Sequence, residues 1–195
     1  MLTSKKLKMI NEVLYKDSEY NLGYRFIEYN LNKFNNNNWS CESDEEMSVL
    51  HVQPTFNKWT FKDFDYVKYM VNEFNLDIDF FNYDYENSLT LLVLLHEYGH
   101  AHQLRDTIGI EDFEIMVEEY QETERMYRMK LFKLMMNDEM NEQDKQYEMN
   151  ILYRSKENEY YADSIASQIF NKYGFKLLSI ISGKAQKQIR LEMSR

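Results

Sequence analysis

The sequence predicts an α+β fold that is mostly helical, with a small sheet beside one central helix and a long helical region after it. Three observations carry this expectation. Only 5 Gly and 1 Pro punctuate 195 residues, too few for the many turns of an all-β sandwich. Apolar residues recur at three- and four-residue spacing through most of the chain, which is helix periodicity. Two short stretches, 47–53 and 76–80, alternate instead, which is strand periodicity. Length favours one domain over 1–195. N-terminal helices are expected over 1–46, the small sheet and central helix over 47–109, and a helical region over 110–195.

The elements follow in order. Leu7, Ile10, Val13 and Leu14, then Leu22, Phe26, Ile27 and Leu31, predict two helices, which the Asn run 35–38 ends. In 47–53, Val49, His51 and Gln53 alternate against Leu50 and Val52 before Pro54 closes the strand. Phe61, Phe64, Val67, Met70, Val71 and Phe74 mark an amphipathic helix. Leu76, Ile78 and Phe80 alternate with Asp77 and Asp79, as on a strand with one solvated face. Asn87 or Ser88 is expected to cap the next helix, which is apolar all round from 89 to 95 and runs to about Leu104. Near-heptad spacing of Phe113, Val117, Tyr120, Tyr127, Leu131 and Leu134 then predicts a long helix. A turn at 137–141, a returning helix, and helices over 157–173 and 177–191 complete the chain. Met116, Met126, Met129, Met135 and Met136 on the long helix read as core packing in preference to an adaptable binding face.

Composition bounds the function. With 44% hydrophobic and 15% aromatic residues the chain can build a core, and a mean hydropathy of -0.67 keeps the remainder in water. A net charge of -10 repels phosphate backbones, so nucleic acid is not an expected partner. The single cysteine, Cys41, cannot form an internal disulfide, and its expected role is that of an idle or buried thiol. No segment reaches the roughly 20 apolar residues that span a bilayer, and no signal-peptide core forms near Met1, so a cytoplasmic protein without membrane association is expected. Abundant Asn, Lys, Tyr, Ile and Phe with little Pro, Gly or Ala matches an AT-rich genome, bacterial or phage.

The chemistry gathers at His96-Glu97-Tyr98-Gly99-His100, an HExxH string. Residues four apart on a helix turn by about 40° and rise about 6 Å, so both imidazoles can grip one metal ion, and zinc suits that pair. Glu97 adjoins the first ligand, where its carboxylate can take the proton of a water at the metal's open position. A third ligand decides the type of site. His102 points about 200° away from His100 on a regular helix and reads as a hydrogen-bonded structural residue. Asp106 has the spacing of the third ligand in the HExxHxxGxxH class, but Gln103 stands where that class turns on glycine. Farther on, Glu159 and Asp163 share one face of another helix within Asn158-Glu-Tyr-Tyr-Ala162-Asp163. Glu159 can complete the ligand set, and Asp163 can accept the far N–H of a liganding imidazole.

HExxH followed by NExxAD resembles the gluzincin metallopeptidases. The resemblance implies zinc on His96, His100 and Glu159, Glu97 as general base, and Asp163 orienting a histidine. The string from Glu159 through Ala162-Asp163 to Ala166 is similar to the ExxA(N/D)xxA element of ImmA/IrrE-like soluble peptidases, common in phages and mobile elements. It is similar also to an element of a family of membrane-embedded peptidases. The resemblance spans two short motifs, with 59 positions from His100 to Glu159, filled by the expected helical hairpin.

The function expected is therefore that of a zinc metallopeptidase acting on a protein or peptide substrate. The substrate would bind by strand addition along the 47–53 strand as a sheet edge. Tyr153, Tyr160, Tyr161 and His102 are open candidates for an oxyanion donor. The alternative is a non-proteolytic regulatory protein that keeps a structural zinc while its 110–155 helices hold a protein partner; an intact Glu97 argues against it.

Overall fold

A computed structural model describes residues 2–22, 27–31, 40–43, 48–52, 61–107 and 113–194. In chain order these form α1 (Ser4–Tyr15), β1 (Ile27–Leu31), β2 (Ser40–Ser43), β3 (Ser48–Val52), α2 (Phe61–Phe74), α3 (Asp79–Tyr83), α4 (Tyr85–Thr107), α5 (Phe113–Met135), α6 (Glu142–Arg154), α7 (Glu157–Ser182) and α8 (Gln186–Met193).

The α+β class expected from the sequence is corrected to a helical one. Eight helices, the longest of 23 to 26 residues, dominate the described residues, beside three strands of five, four and five residues. The strands are of ordinary length, but only three of them stand beside eight helices, too few to make a layer that covers the helical core. They make one small sheet in the order β1-β3-β2, with β1 parallel and β2 antiparallel to β3.

The core is an α4–α7 pair with α1, α2, α3 and α8 packed around it. In α4, Leu89, Leu91, Leu92, Leu94 and Leu95 are all buried, and only Thr90 and Val93 share a partly exposed face over that stretch; each such leucine stabilises the fold by roughly 1.5–3 kcal/mol. From α7 come Ala166, Ile169, Phe170, Leu177, Leu178 and Ile181. Leu7, Ile10 and Leu14 of α1 and Met70 of α2 close the sides.

Four local expectations change. Of the helix expected over Leu22 to Leu31, residues 27–31 form a strand paired with β3, while 23–26 lie outside the described residues; apolar residues three and four apart do not exclude a strand when a distant partner supplies hydrogen bonds. The 76–80 segment is no strand but a turn into α3. Phe80 and Phe81 are both buried, one edge-on to Phe170 at 5.2 Å and the other stacked on it at 5.7 Å; two neighbours cannot face one side of a strand but can on a helix. The expected helices 157–173 and 177–191 run together as α7 through Gly174, and Gly183, at φ 77°, supplies the left-handed C-cap. At the start of α4, Asp84 rather than Asn87 or Ser88 accepts from the backbone of the first turn, while Ser88 donates to the Phe80 carbonyl at 2.8 Å.

The methionines of α5 also depart from expectation. Met126, Met129, Met135 and Met136 are exposed, so core packing is not their use; Met116 lies outside the described side chains, as do 35–38, Met47, Gln53 and Pro54. No helix among the described residues is long and apolar enough to cross a membrane.

Candidate metal centre

α4 carries His96, Gly99 and His100 on one face, at positions i, i+3 and i+4, and α7 carries Glu159, Ala162 and Asp163 on another with the same spacing. The two faces meet, with Gly99 against the Ala162 backbone. This contact brings together residues 59 positions apart in the chain.

His96, His100 and Glu159 form one group whose nitrogen and oxygen ligand atoms lie within 4.8 Å of one another and could hold a metal ion. His96 Nε2 is 3.2 Å from His100 Nε2 and 3.4 Å from Glu159 Oε2, and His100 Nε2 is 3.9 Å from Glu159 Oε1. Ligands at about 2.0 Å in a tetrahedron stand about 3.3 Å apart, so the spacing suits a zinc-sized ion. The donor chemistry agrees. Glu159 Oε2 is buried and makes no close hydrogen bond, only the longer ion-pair contacts to His96 at 3.4 Å and Arg154 at 3.6 Å, so it keeps capacity to bind a cation.

Behind His96, Asp163 is fully buried and its Oδ1 lies 2.8 Å from His96 Nδ1. Tyr66 donates to the same oxygen at 2.8 Å. With the Nδ1 proton held by Asp163, Nε2 is the ring atom that faces the group, and its lone pair is available to a metal once its own proton leaves.

Electrostatics show how the group behaves without a cation. Burial opposes charge on His96, but its bonds to Asp163 and Glu159 override this and lift its pKa to about 9. Burial, with the His96 charge, presses His100 down to about 4. Burial would raise Glu159, yet the bond to His96 and the charges of His96, His100 and Arg154 hold it at about 2. The group thus keeps one proton at neutral pH, in the place a metal would take.

Glu97 is buried beside this group. Burial raises its carboxyl above the ordinary glutamate value, opposed by the His96 charge and, more weakly, by Arg154 and a backbone hydrogen bond from Cys41 of β2. That contact corrects the expected substrate edge. The 47–53 strand is β3, which pairs on both sides, whereas β2 is an edge of the described sheet and packs on α4.

The other sequence candidates separate clearly. His102 is buried away from the group, its Nε2 2.9 Å from the Glu19 carbonyl oxygen and its Nδ1 3.0 Å from the Tyr161 hydroxyl. Asp106 accepts from Tyr161 at 2.6 Å and from Arg105, so it does not join the ligand group. Tyr160 is exposed beside Phe74. Of the four oxyanion candidates Tyr153 alone reaches the group, donating to Glu159 Oε1 at 2.9 Å.

Sequence reasoning missed Arg154 and Tyr66. Arg154, the last residue of α6, places Nη1 3.4 Å from Asp163 Oδ1, 3.6 Å from Glu159 Oε2 and 3.5 Å from both His96 ring nitrogens. Its guanidinium also lies 4.2 Å over the Tyr66 ring. No motif marks either residue, since each arrives from a different helix.

Comparisons with protein-family models, curated proteins and solved structures find no match. Fold and site together define a helical protein with a buried His96/His100/Glu159 group able to hold a metal ion, consistent with an HExxH-type site.

Proposed function

We propose that the chain is a zinc metallopeptidase that hydrolyses peptide bonds with Glu97 as general base, acting on a specific intracellular protein of a bacterial or phage system. The observation that carries this reading is the placement of the Glu97 carboxyl, buried one residue from a ligand of a His2Glu group. A structural metal site has no use for such a base.

When bound, zinc would supply Lewis acidity towards a water and the scissile carbonyl. Glu97 takes the water's proton as the oxygen adds to the carbonyl carbon, then passes it to the departing amide nitrogen as the C–N bond breaks. The products are a carboxylate and an amine. Asp163 holds His96 in the tautomer that aims Nε2 inward. A substrate strand added to β2 would lie next to Glu97, because the Cys41 backbone already touches that carboxylate.

The test is incubation of zinc-loaded protein with a proteome, reading new peptide termini against a Glu97→Gln control. Parent-specific termini are expected, with zinc retained in both forms. Equal cleavage by the variant removes the mechanism. A protein that never cleaves, and whose partner binds both forms equally, is the regulatory alternative.

A further inference from the structure

The α5 helix divides its charges at its midpoint. Residues 118–124 carry Glu118, Glu119, Glu122 and Glu124 with no base, and residues 125–133 carry Arg125, Arg128, Lys130 and Lys133 with no acid. Favourable charges near a helix dipole act only within the first and last turn, so the dipole does not account for a switch at the centre. The same helix and the turn after it expose Met129, Phe132, Met135 and Met136, with Phe132 64% and Met136 65% exposed. An isolated chain gains nothing from such a surface.

We infer that α5 is a self-association surface, on which a second copy of this chain packs antiparallel about a two-fold axis near residues 124–125. An isologous interface requires one patch to be complementary to itself. The α5 pattern satisfies this, because reversal sets an acidic half on a basic half twice over. At 100° per residue, Glu118, Glu122, Arg125, Arg128, Met129 and Phe132 fall within about one third of the helix circumference. Arg125 and Arg128 then run along Glu118 and Glu122 of the partner subunit, and Met129 and Phe132 cover the aliphatic parts of those side chains. Among the described residues this face holds an ion pair within the chain, Arg125 to Glu122 at 3.7 Å, which is exposed at both ends and able to exchange partners. A partner of uniform charge would meet repulsion along half the helix. With a net charge of -10, copies of the chain repel in other orientations. The surface uses none of the metal-centre residues.

Analytical ultracentrifugation of the full chain tests this. The parent is expected to dimerise at low salt and to weaken at high salt, as exposed charge pairs do. Arg125→Glu with Arg128→Glu, and separately Glu118→Lys with Glu122→Lys, should each weaken the dimer by about tenfold or more through like-charge contact. Mixing the two variants should restore a dimer containing one copy of each, which a misfolded variant cannot do; circular dichroism checks that helix content is kept. A monomeric parent at all concentrations, variants that dimerise like the parent, or a mixture that fails to pair overturns the inference.

Discussion

Gly99 and Ala162 touch where α4 crosses α7: a Cβ on Gly99 would stand 2.5 Å from the Ala162 carbonyl oxygen and 2.7 Å from its Cα. These small residues sit between the site residues of their own motifs, the ligands His96 and His100 on one helix, the ligand Glu159 and the orienting Asp163 on the other. The close approach sets the separation of the two ligand faces.

Gly99→Ala should therefore do double damage. It should destabilise the fold by about 1–3 kcal/mol, the usual cost of overpacking, and weaken zinc binding by parting Glu159 from the histidines. Gly174→Ala provides the comparison, since its Cβ would meet the tip of the Phe80 ring at 3.0 Å, and a side chain can shift where a backbone cannot. Thermal unfolding with a zinc titration checks both; equal effects at the two glycines would contradict this account.

Zinc is expected at about one ion per chain, bound through the His2Glu group. His96→Ala and His100→Ala should lose it. Asp163→Ala should only weaken it, by roughly 10 to 100-fold, because an orienting carboxylate is lost and not a direct bond. Glu159→Ala should be worse. Chelator competition ranks them, and the reverse order would make Asp163 the ligand.

Arg154 neutralises Asp163 and Glu159 in the metal-free protein. Replacing it by Met should cost about 2–3 kcal/mol, less than for a fully buried pair because its side chain is 23% exposed. The variant should also show a larger zinc-induced rise in Tm than the parent, since the metal then supplies the missing positive charge. Unfolding with chelator and with zinc measures this. An unchanged metal-free Tm would show that Arg154 is not the counter-charge.

Zinc uptake near pH 7 should release about one proton, the one His96 holds. The sign follows from its pKa, raised from 6.5 to about 9. In the metal-free protein the His96 contribution to stability is complete below the unfolded value and is lost as pH rises through 9. Zinc affinity accordingly climbs from pH 7 towards 9, and falls more steeply below about 4, where His100 also takes a proton. Calorimetry in buffers of different ionisation enthalpy counts the proton; none released would refute the assignment.

The sequence by itself determined what depends on near neighbours along the chain. The i, i+4 spacing that puts His96 and His100 on one face and Glu159 and Asp163 on another is a property of any helix, and the apolar run 89–95 required a helix buried over most of its surface. Everything depending on distant partners was decided by tertiary structure. Ile27–Leu31 is a strand because β3 hydrogen-bonds it, and β3 is central because β2 takes its other edge. Phe80 turned towards Phe170 makes 79–83 a helix. Arg154 and Tyr66 reach Asp163 from α6 and α2, with no spacing to announce them. Periodicity reports which side of an element is apolar, but not which other element covers it; here that choice was made where Gly99 lets α7 come close enough to bring its carboxylates to the histidines.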